Sequence, residues 1–326
     1  MRPAALAAAV LLASCAPQAP LPQGPVAAGS AIQVDAVAVP LDPTDPRHER
    51  IGNFAYAGGL VLTSRQTSRL HGLSDLKVWP DGRMLALGDQ SDLLAARIVL
   101  DRAGRLAGVA DATLTALKDE RGVDLYAGGP REYDAEGVAR LPNGDMLASF
   151  EQHDRILLFP NGGGPPRPAP APQVSYTFNK GMEALAAAPD IAPDAYRVGL
   201  EDSGKTFLCR LSAGCAPDRA LDLEGLELVA MAPLPGGGLA YLLRSYSPLQ
   251  GNVIRLKVLD RQGHALDSLE IRRPLTVDNL EGLAAVPQAD GRVRFYLVSD
   301  DNFGTYSGLP TDQRTLLLAF DWMTPK

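Results

Sequence analysis

Several of the usual catalytic signatures are missing from this chain. Its histidines, His48, His71, His153 and His264, fall at no spacing that would hold a transition metal. No G-x-S-x-G phrase presents a serine nucleophile. Positive charge is short: 31 Lys and Arg stand against 38 Asp and Glu, for a net charge of −7. That balance gives no reason to expect a nucleic-acid partner, and it speaks against bare attraction of phosphates. The apolar run Ala4 to Ala13 is too short to span a bilayer. Helical periodicity is thin throughout.

That run, preceded by Arg2 and closed by Leu12, Ala13, Ser14 and Cys15, reads as a cleaved export signal over residues 1–14. Small residues before a lone early cysteine resemble a bacterial lipoprotein signal, which implies acylation of Cys15. Ala16 in place of Asp favours the outer membrane facing the periplasm, so the expected location is the cell envelope, with the lipid as the contact to membrane. Residues 15–40 are expected to be an acylated tether, rich at first in Pro, Ala and Gly. Of the remaining cysteines, Cys209 and Cys215 flank a small-residue turn, and an oxidising compartment predicts a disulfide between them. That pairing leaves no thiol for catalysis.

GLEDSGKT, Gly199 to Thr206, fits the phosphate-cradling pattern G-x-x-x-x-G-K-[ST] letter for letter. Such a loop must open a helix, but FLCRLSAGC follows, which alternates as a strand and then turns. Glu201 and Asp202 would also sit where phosphates go. A nucleotide loop is therefore not expected.

What is present is a repeat. An apolar strand, a turn with Pro and Gly or Asp, a second apolar strand and a polar ending recur in LSDLKVWPDGRMLALGD, EGVARLPNGDMLASFE, EALAAAPDIAPDAYRVGLE, VAMAPLPGGGLAYLLR and EGLAAVPQADGRVRFYLVSDD. The turn prolines are Pro80, Pro142, Pro189, Pro235 and Pro287, and the later intervals are about 45 to 55 residues, the period of a four-stranded propeller blade. An all-β fold is predicted: a single β-propeller-like domain over 41–326, with six blades to use up the chain. The proline-rich segment 160–173 does not break the phase and is expected to be a surface loop inside that domain. The segments VDAVAVP and FAYAGGLVLTS are expected to pair with the final TLLLAFDW and close the ring.

Six residues before the turn prolines stand Ser74, Glu136, Glu183, Val229 and Glu281; after the second strands stand Asp89, Glu151, Glu201, Arg244, Asp300 and Asp301. A hairpin places residues equidistant from its turn side by side, so Glu136 should lie near Glu151, Glu183 near Glu201, and Glu281 near Asp300 and Asp301. Converging carboxylates repel one another and demand protons or a cation. Glu136, Glu151, Glu183, Glu201, Glu281, Asp300 and Asp301 are thus candidate ligands for calcium or another hard divalent cation, with Arg244 placed to fork onto an anion. The alternative is that each carboxylate accepts backbone N–H groups of the next blade and only fastens the ring. His71 and His153 fall close to rim positions and are candidates for general acid or base, or plain loop residues.

The phrases DAEGVA (134–139), NKGMEALA (179–186), LLRSY (242–246), DNLEGLAAV (278–286), and LVSDDNF followed by QRTLLLAF resemble the esterase-like phytase family of exported bacterial proteins, from about Gly58 to Trp322. The resemblance implies a propeller with presumed phosphoesterase activity at repeated acids, here Glu136, Glu183, Glu281, Asp300, Asp301 and Asn302. HGLSDL replaces a more glycine-rich phrase, and Asp89, Gln90 and Ser91 stand where Asp-Arg-Gly is usual, so the first repeat lacks a rim arginine. The expected function is a metal-dependent hydrolase of phosphate esters, with Glu136, Glu183, Glu281, Asp300 and Arg244 as catalytic candidates and an anionic small molecule as partner. The alternatives are a lactonase on the same site, or a propeller that only binds. Nothing indicates oligomerisation, and a monomer is expected.

Overall fold

Each recurrent phrase folds as the first two strands of an antiparallel blade, because its turn chemistry permits nothing longer. In the first repeat the Asp81 side chain accepts from the Arg83 N–H at 3.1 Å while Gly82 takes φ 84°. Asn143 and Gly144 do the same in the second, with the Asp145 N–H at 3.0 Å and φ 88°. The computed structural model describes residues 29–306 and 309–323. Cys15, with the expected signal and lipid attachment, lies outside the described residues.

Blade one holds Leu73–Val78, Arg83–Gly88, Asp92–Leu100 and Leu106–Ala116, with Ser30–Ala31 added at its edge. Blade two holds Ala135–Arg140, Met146–Phe150, Arg155–Phe159 and Arg167–Ala169; blade three holds Ala184–Ala187, Ala195–Gly199, Lys205–Arg210 and Gly214–Ala220. Blade four holds Glu227–Pro233, Leu239–Ser247, Gly251–Leu259 and Ala265–Arg272. Blade five is composite: Asn279–Pro287, Val293–Asp300 and Leu316–Trp322 continue into Phe54–Thr63 and Asp35–Ala38. The first-named strands neighbour one another in a closed ring around the axis.

The propeller therefore has five blades rather than six. The earlier strands do not build a blade of their own; Phe54–Thr63 pairs with Leu316–Trp322, which is the closure the sequence predicted. Long outer strands, 9 and 11 residues in blade one, use the rest. The tether expected over 15–40 does not run that far, since Ser30–Ala31 pairs with blade one and Asp35–Ala38 with blade five. Within the proline-rich segment, Arg167–Ala169 forms the edge strand of blade two, a place where Pro168 forfeits no ladder bond.

The core lies between blade faces. Ile254, Leu256 and Leu242 of blade four pack against Leu283, Phe295, Leu318 and Phe320 of blade five, all fully buried. A blade is covered on both faces, which is why VRFYLVSD and LLLAFDW read as near-continuous apolar runs instead of alternating. Cys209 and Cys215 are disulfide-bonded across the last two strands of blade three. Among the described residues no helix is long and apolar enough to cross a membrane.

One irregularity recurs where it matters. The first strand of a blade carries an extra residue relative to its partner at Ser74, at Glu136–Gly137, at Val229 and at Glu281. These are the repeat positions six before the proline. A bulge bends the strand and re-aims one side chain out of the ladder. In two blades that side chain is a glutamate followed by glycine, and the glycine is required: a Cβ on Gly137 would meet the Glu183 carbonyl oxygen at 2.6 Å, and one on Gly282 would meet the Asp75 carbonyl carbon at 2.9 Å.

Candidate metal centre and active site

The bulged ends and the ends of the second strands surround a cavity of about 850 Å³ on the axis, lined by Asp89, Asp134, Glu136, Glu151, Lys180, Glu183, Glu201, Glu227, Arg244, Asn279, Glu281 and Asp300 among others. The sequence pairing is realised in three blades. Carboxylate oxygens of Asp134, Glu136 and Glu151 lie within 4.8 Å of one another, as do those of Glu151, Glu183 and Glu201. Asn279 ties Glu281 to Asp300, donating to them at 2.9 and 3.1 Å. Gly199 ends a strand and Lys205 opens the next, so GLEDSGKT is a hairpin turn whose Glu201 reaches the cavity while Lys205 is exposed.

Two cations meet these acids. Lys180 Nζ lies 3.0 Å from Oε1 of Glu201 and 2.5 Å from Oε1 of Glu227. Arg244 hydrogen-bonds Glu281 and, at 2.7 Å, Oδ1 of Asn279, and reaches Oε1 of Glu201 at 3.5 Å. The carboxylates outnumber them, and desolvation followed by mutual repulsion drives the acids upward: Glu151 to about 7, and Glu183, Glu136 and Asp89 well above the ordinary carboxylate range. Burial likewise pushes Glu281 to about 8, against the pull of Arg244, and Asp300 to about 6.

The ring-fastening role is taken by some acids and not by others. Asp301 is absent from the cavity lining: His71 Nδ1 lies at 2.6 Å and the Gly72 N–H donates at 3.0 Å, both just before blade one, and the Thr315 hydroxyl of blade five donates at 2.8 Å. Glu151 accepts from the Gly181 N–H of the next blade at 2.5 Å. Asp75 fastens blade one to blade two through the Val138 N–H at 2.8 Å. By contrast, Glu136 and Glu183 accept no hydrogen bond from any described residue. Glu201 is 2% exposed, and its Oε2 has no hydrogen-bond partner among the described residues. The buried, donorless oxygen of Glu201, with the carboxylates of Glu151 and Glu183 gathered within ligand distance of that residue, suits a hard cation that takes six to eight oxygens. The residues present therefore fit such an ion, with Glu136, Glu151, Glu183 and Glu201 as its holders.

Asp134, Lys180 and Glu227 were not singled out by the sequence. Asp134 and Glu227 stand two residues before the repeat positions Glu136 and Val229, so a period-two reading from those positions finds them. Val229 itself turns into the core. His153 is exposed beside Glu132 and does not line the cavity.

Fold and site together define a β-propeller with an acid-lined axial mouth. The chain belongs to the phytase-like family described as "esterase-like activity of phytase", whose model matches residues 68–303. It is also 26% identical over 284 residues, 76% of this chain and 91% of the relative, to a protein named HTH-type transcriptional regulator CbbR from Rhodospirillum rubrum. That name describes the relative; the α-helix among the described residues here, Pro130–Tyr133, has four residues. Among solved structures, the chain is similar to a putative gluconolactonase at 12% identity, with 92% of each chain covered and a TM-score of 0.47. It is similar to the Malassezia sympodialis allergen Mala s 1 at 12%, with 88% of this chain and 96% of that one covered and a TM-score of 0.46. For virginiamycin B lyase from Staphylococcus aureus the values are 11%, 83%, 100% and 0.44. At these values none of the three bears on the chemistry of the site.

Proposed function

We propose that the chain is a hydrolase of phosphate esters that works with a hard divalent cation, calcium being the expected one, and that is tethered to the cell envelope through Cys15. The observation that supports this best is the Glu151, Glu183 and Glu201 cluster with its unpartnered buried oxygen, set beside the two cations Lys180 and Arg244. When bound, the cation neutralises the acidic mouth and polarises a phosphoryl oxygen. Arg244 offers a planar fork and Lys180 a point charge to the remaining oxygens of the ester. Asp300, raised to about 6 by burial, lines the same cavity and is the base that orients the attacking water. Burial of Glu201 and Glu281 strengthens the interactions they make relative to those at the surface.

The test uses the full chain in detergent, assayed on p-nitrophenyl phosphate, bis-p-nitrophenyl phosphate, phytate and simple lactones, with EDTA and then with calcium restored. Turnover of a phosphate ester that EDTA abolishes and calcium rescues is the expected result. Lactone turnover alone would move the chemistry to another ester class. No turnover together with no calcium-dependent rise in melting temperature overturns the metal site and leaves a propeller that only binds.

A further inference from the structure

The turn after the second strand of blade five sends alternate residues in opposite directions. Asp300 and Asn302 line the cavity, whereas Asp301 between them does not. The backbone that achieves this is strained: Asn302 and Phe303 take φ 48° and 54°, a left-handed region that a bulky side chain enters only where its surroundings compel it. Asp301 supplies the compulsion. Its Oδ1 accepts from the Phe303 N–H inside the turn at 3.2 Å and from the Gly72 N–H at 3.0 Å, and its Oδ2 lies 2.6 Å from His71 Nδ1. The Phe303 ring closes on the same place, with its centroid 5.8 Å from that of His71 and its Cε2 2.7 Å from where a Cβ on Gly72 would stand. On the cavity side the Asn302 N–H donates to Asp300 Oδ1 at 2.7 Å. The orientation of Asp300 is thus tied, through one turn, to a histidine outside the cavity lining.

We infer that His71 is a positioning residue for the hydrolysis: by donating from Nδ1 to Asp301 it holds the 300–303 turn in its left-handed form and fixes Asp300 where it meets water. This rests on the reading of Asp300 as the base. A carboxylate held by an imidazole, a hydroxyl and two backbone N–H groups has little freedom to swing, and a base displaced by about 1 Å loses most of its effect. Lys180 and Arg244, which hold the anion, pair with Glu201, Glu227 and Glu281 and, among the described residues, with none of the turn. Loss of the imidazole therefore falls on kcat and not on KM.

The test measures kcat and KM for p-nitrophenyl phosphate in the full chain, in His71→Ala and in His71→Asn, well below the melting temperature of each. His71→Ala is expected to lower kcat about tenfold and to leave KM within about twofold. His71→Asn, whose amide donates from the place of Nδ1, should recover most of the loss. Hydrogen exchange on a peptic peptide holding residues 300–304 reads the turn without turnover. There the Asn302 and Phe303 N–H groups should exchange about tenfold faster in His71→Ala than in the unaltered chain or in His71→Asn. An unchanged exchange rate, an unchanged kcat beside faster exchange, or a loss that His71→Asn does not recover overturns the inference. If the unaltered chain hydrolyses no ester, the phosphate-ester reading fails, and exchange alone decides whether His71 positions the turn: faster in His71→Ala, it stands; unchanged, it falls.

Discussion

Lys180 of the turn before blade three and Arg244 of blade four converge on one oxygen, Oε1 of Glu201, at 3.0 and 3.5 Å. The second oxygen of the same carboxylate has no hydrogen-bond partner among the described residues. A single buried glutamate thus carries two cations on one oxygen and stands within ligand distance of Glu151 and Glu183. It belongs at once to an ion-pair network and to a cluster of carboxylates.

Glu183→Gln is expected to separate the metal from the fold. Without metal, the substitution removes the cost of burying an acid that burial and its neighbours hold toward its protonated form, and the melting temperature rises by roughly 2–4 °C, the equivalent of about 1 kcal/mol in a domain of this size. The calcium-dependent rise, in contrast, is lost. Asp301→Asn serves as the contrast, since it weakens the bond to His71 and lowers the melting temperature with or without calcium. Thermal scans of both variants, with EDTA and with calcium, check this; a Glu183→Gln protein that keeps the full calcium increment would remove Glu183 from the ligand set.

Stability should fall as pH rises in the metal-free protein. Burial holds Asp300, Glu151 and Glu281 at about 6, 7 and 8, above their values in the unfolded chain. The folded state therefore binds more protons than the unfolded state once the pH passes the ordinary carboxylate range, and the penalty grows until all three are ionised. Melting temperatures measured from about pH 5 to about pH 8 should decline, and calcium should restore more at the upper end than at the lower. A flat profile in EDTA would mean that these groups are not coupled as the geometry requires.

The glycines behind the bulged glutamates should resist substitution unequally in kind. Gly282→Ala drives a methyl to 2.6 Å from Val298 and 2.9 Å from the Asp75 carbonyl carbon, and should cost about 1–3 kcal/mol by forcing blade five from blade one. Gly137→Ala presses on the Glu183 carbonyl at 2.6 Å, so it should also weaken calcium-dependent stabilisation. Urea titrations with and without calcium distinguish the two.

Reducing Cys209–Cys215 should matter for stability and not for chemistry. The closed loop is short, six residues apart in sequence, so its removal is expected to cost about 2 kcal/mol. The bond lies in the outer strands of blade three, away from the cavity lining. A paired Cys209→Ser, Cys215→Ser variant should melt earlier and keep its kcat; a changed kcat would show that blade three transmits strain to the mouth.

Much of this architecture is legible in the chain because each blade repeats one phrase, and the phrase fixes both the turn and the rim. Pro142 with Asn143 and Gly144 announces a hairpin, and Glu136 and Glu151 fall at matching distances from it. Blade number was less legible. It depends on whether FAYAGGLVLTS starts a blade or completes one, and that is decided by pairing with a segment more than 250 residues away. Asp301 reads like Asp300 in sequence, yet the turn after it carries its side chain across to His71 and Gly72. Lys180 was hidden for a different reason: it belongs to a loop, where no period tells which way a side chain goes.

Blade five contains both Asp35 and Trp322, so the ring cannot be shut in a chain still missing either end. The same ring brings Glu281 and Asp300 into one cavity with the acids of blades two and three. Joining the two ends of the chain thus gathers like charges at the axis, an opposition that a bound divalent cation would relieve.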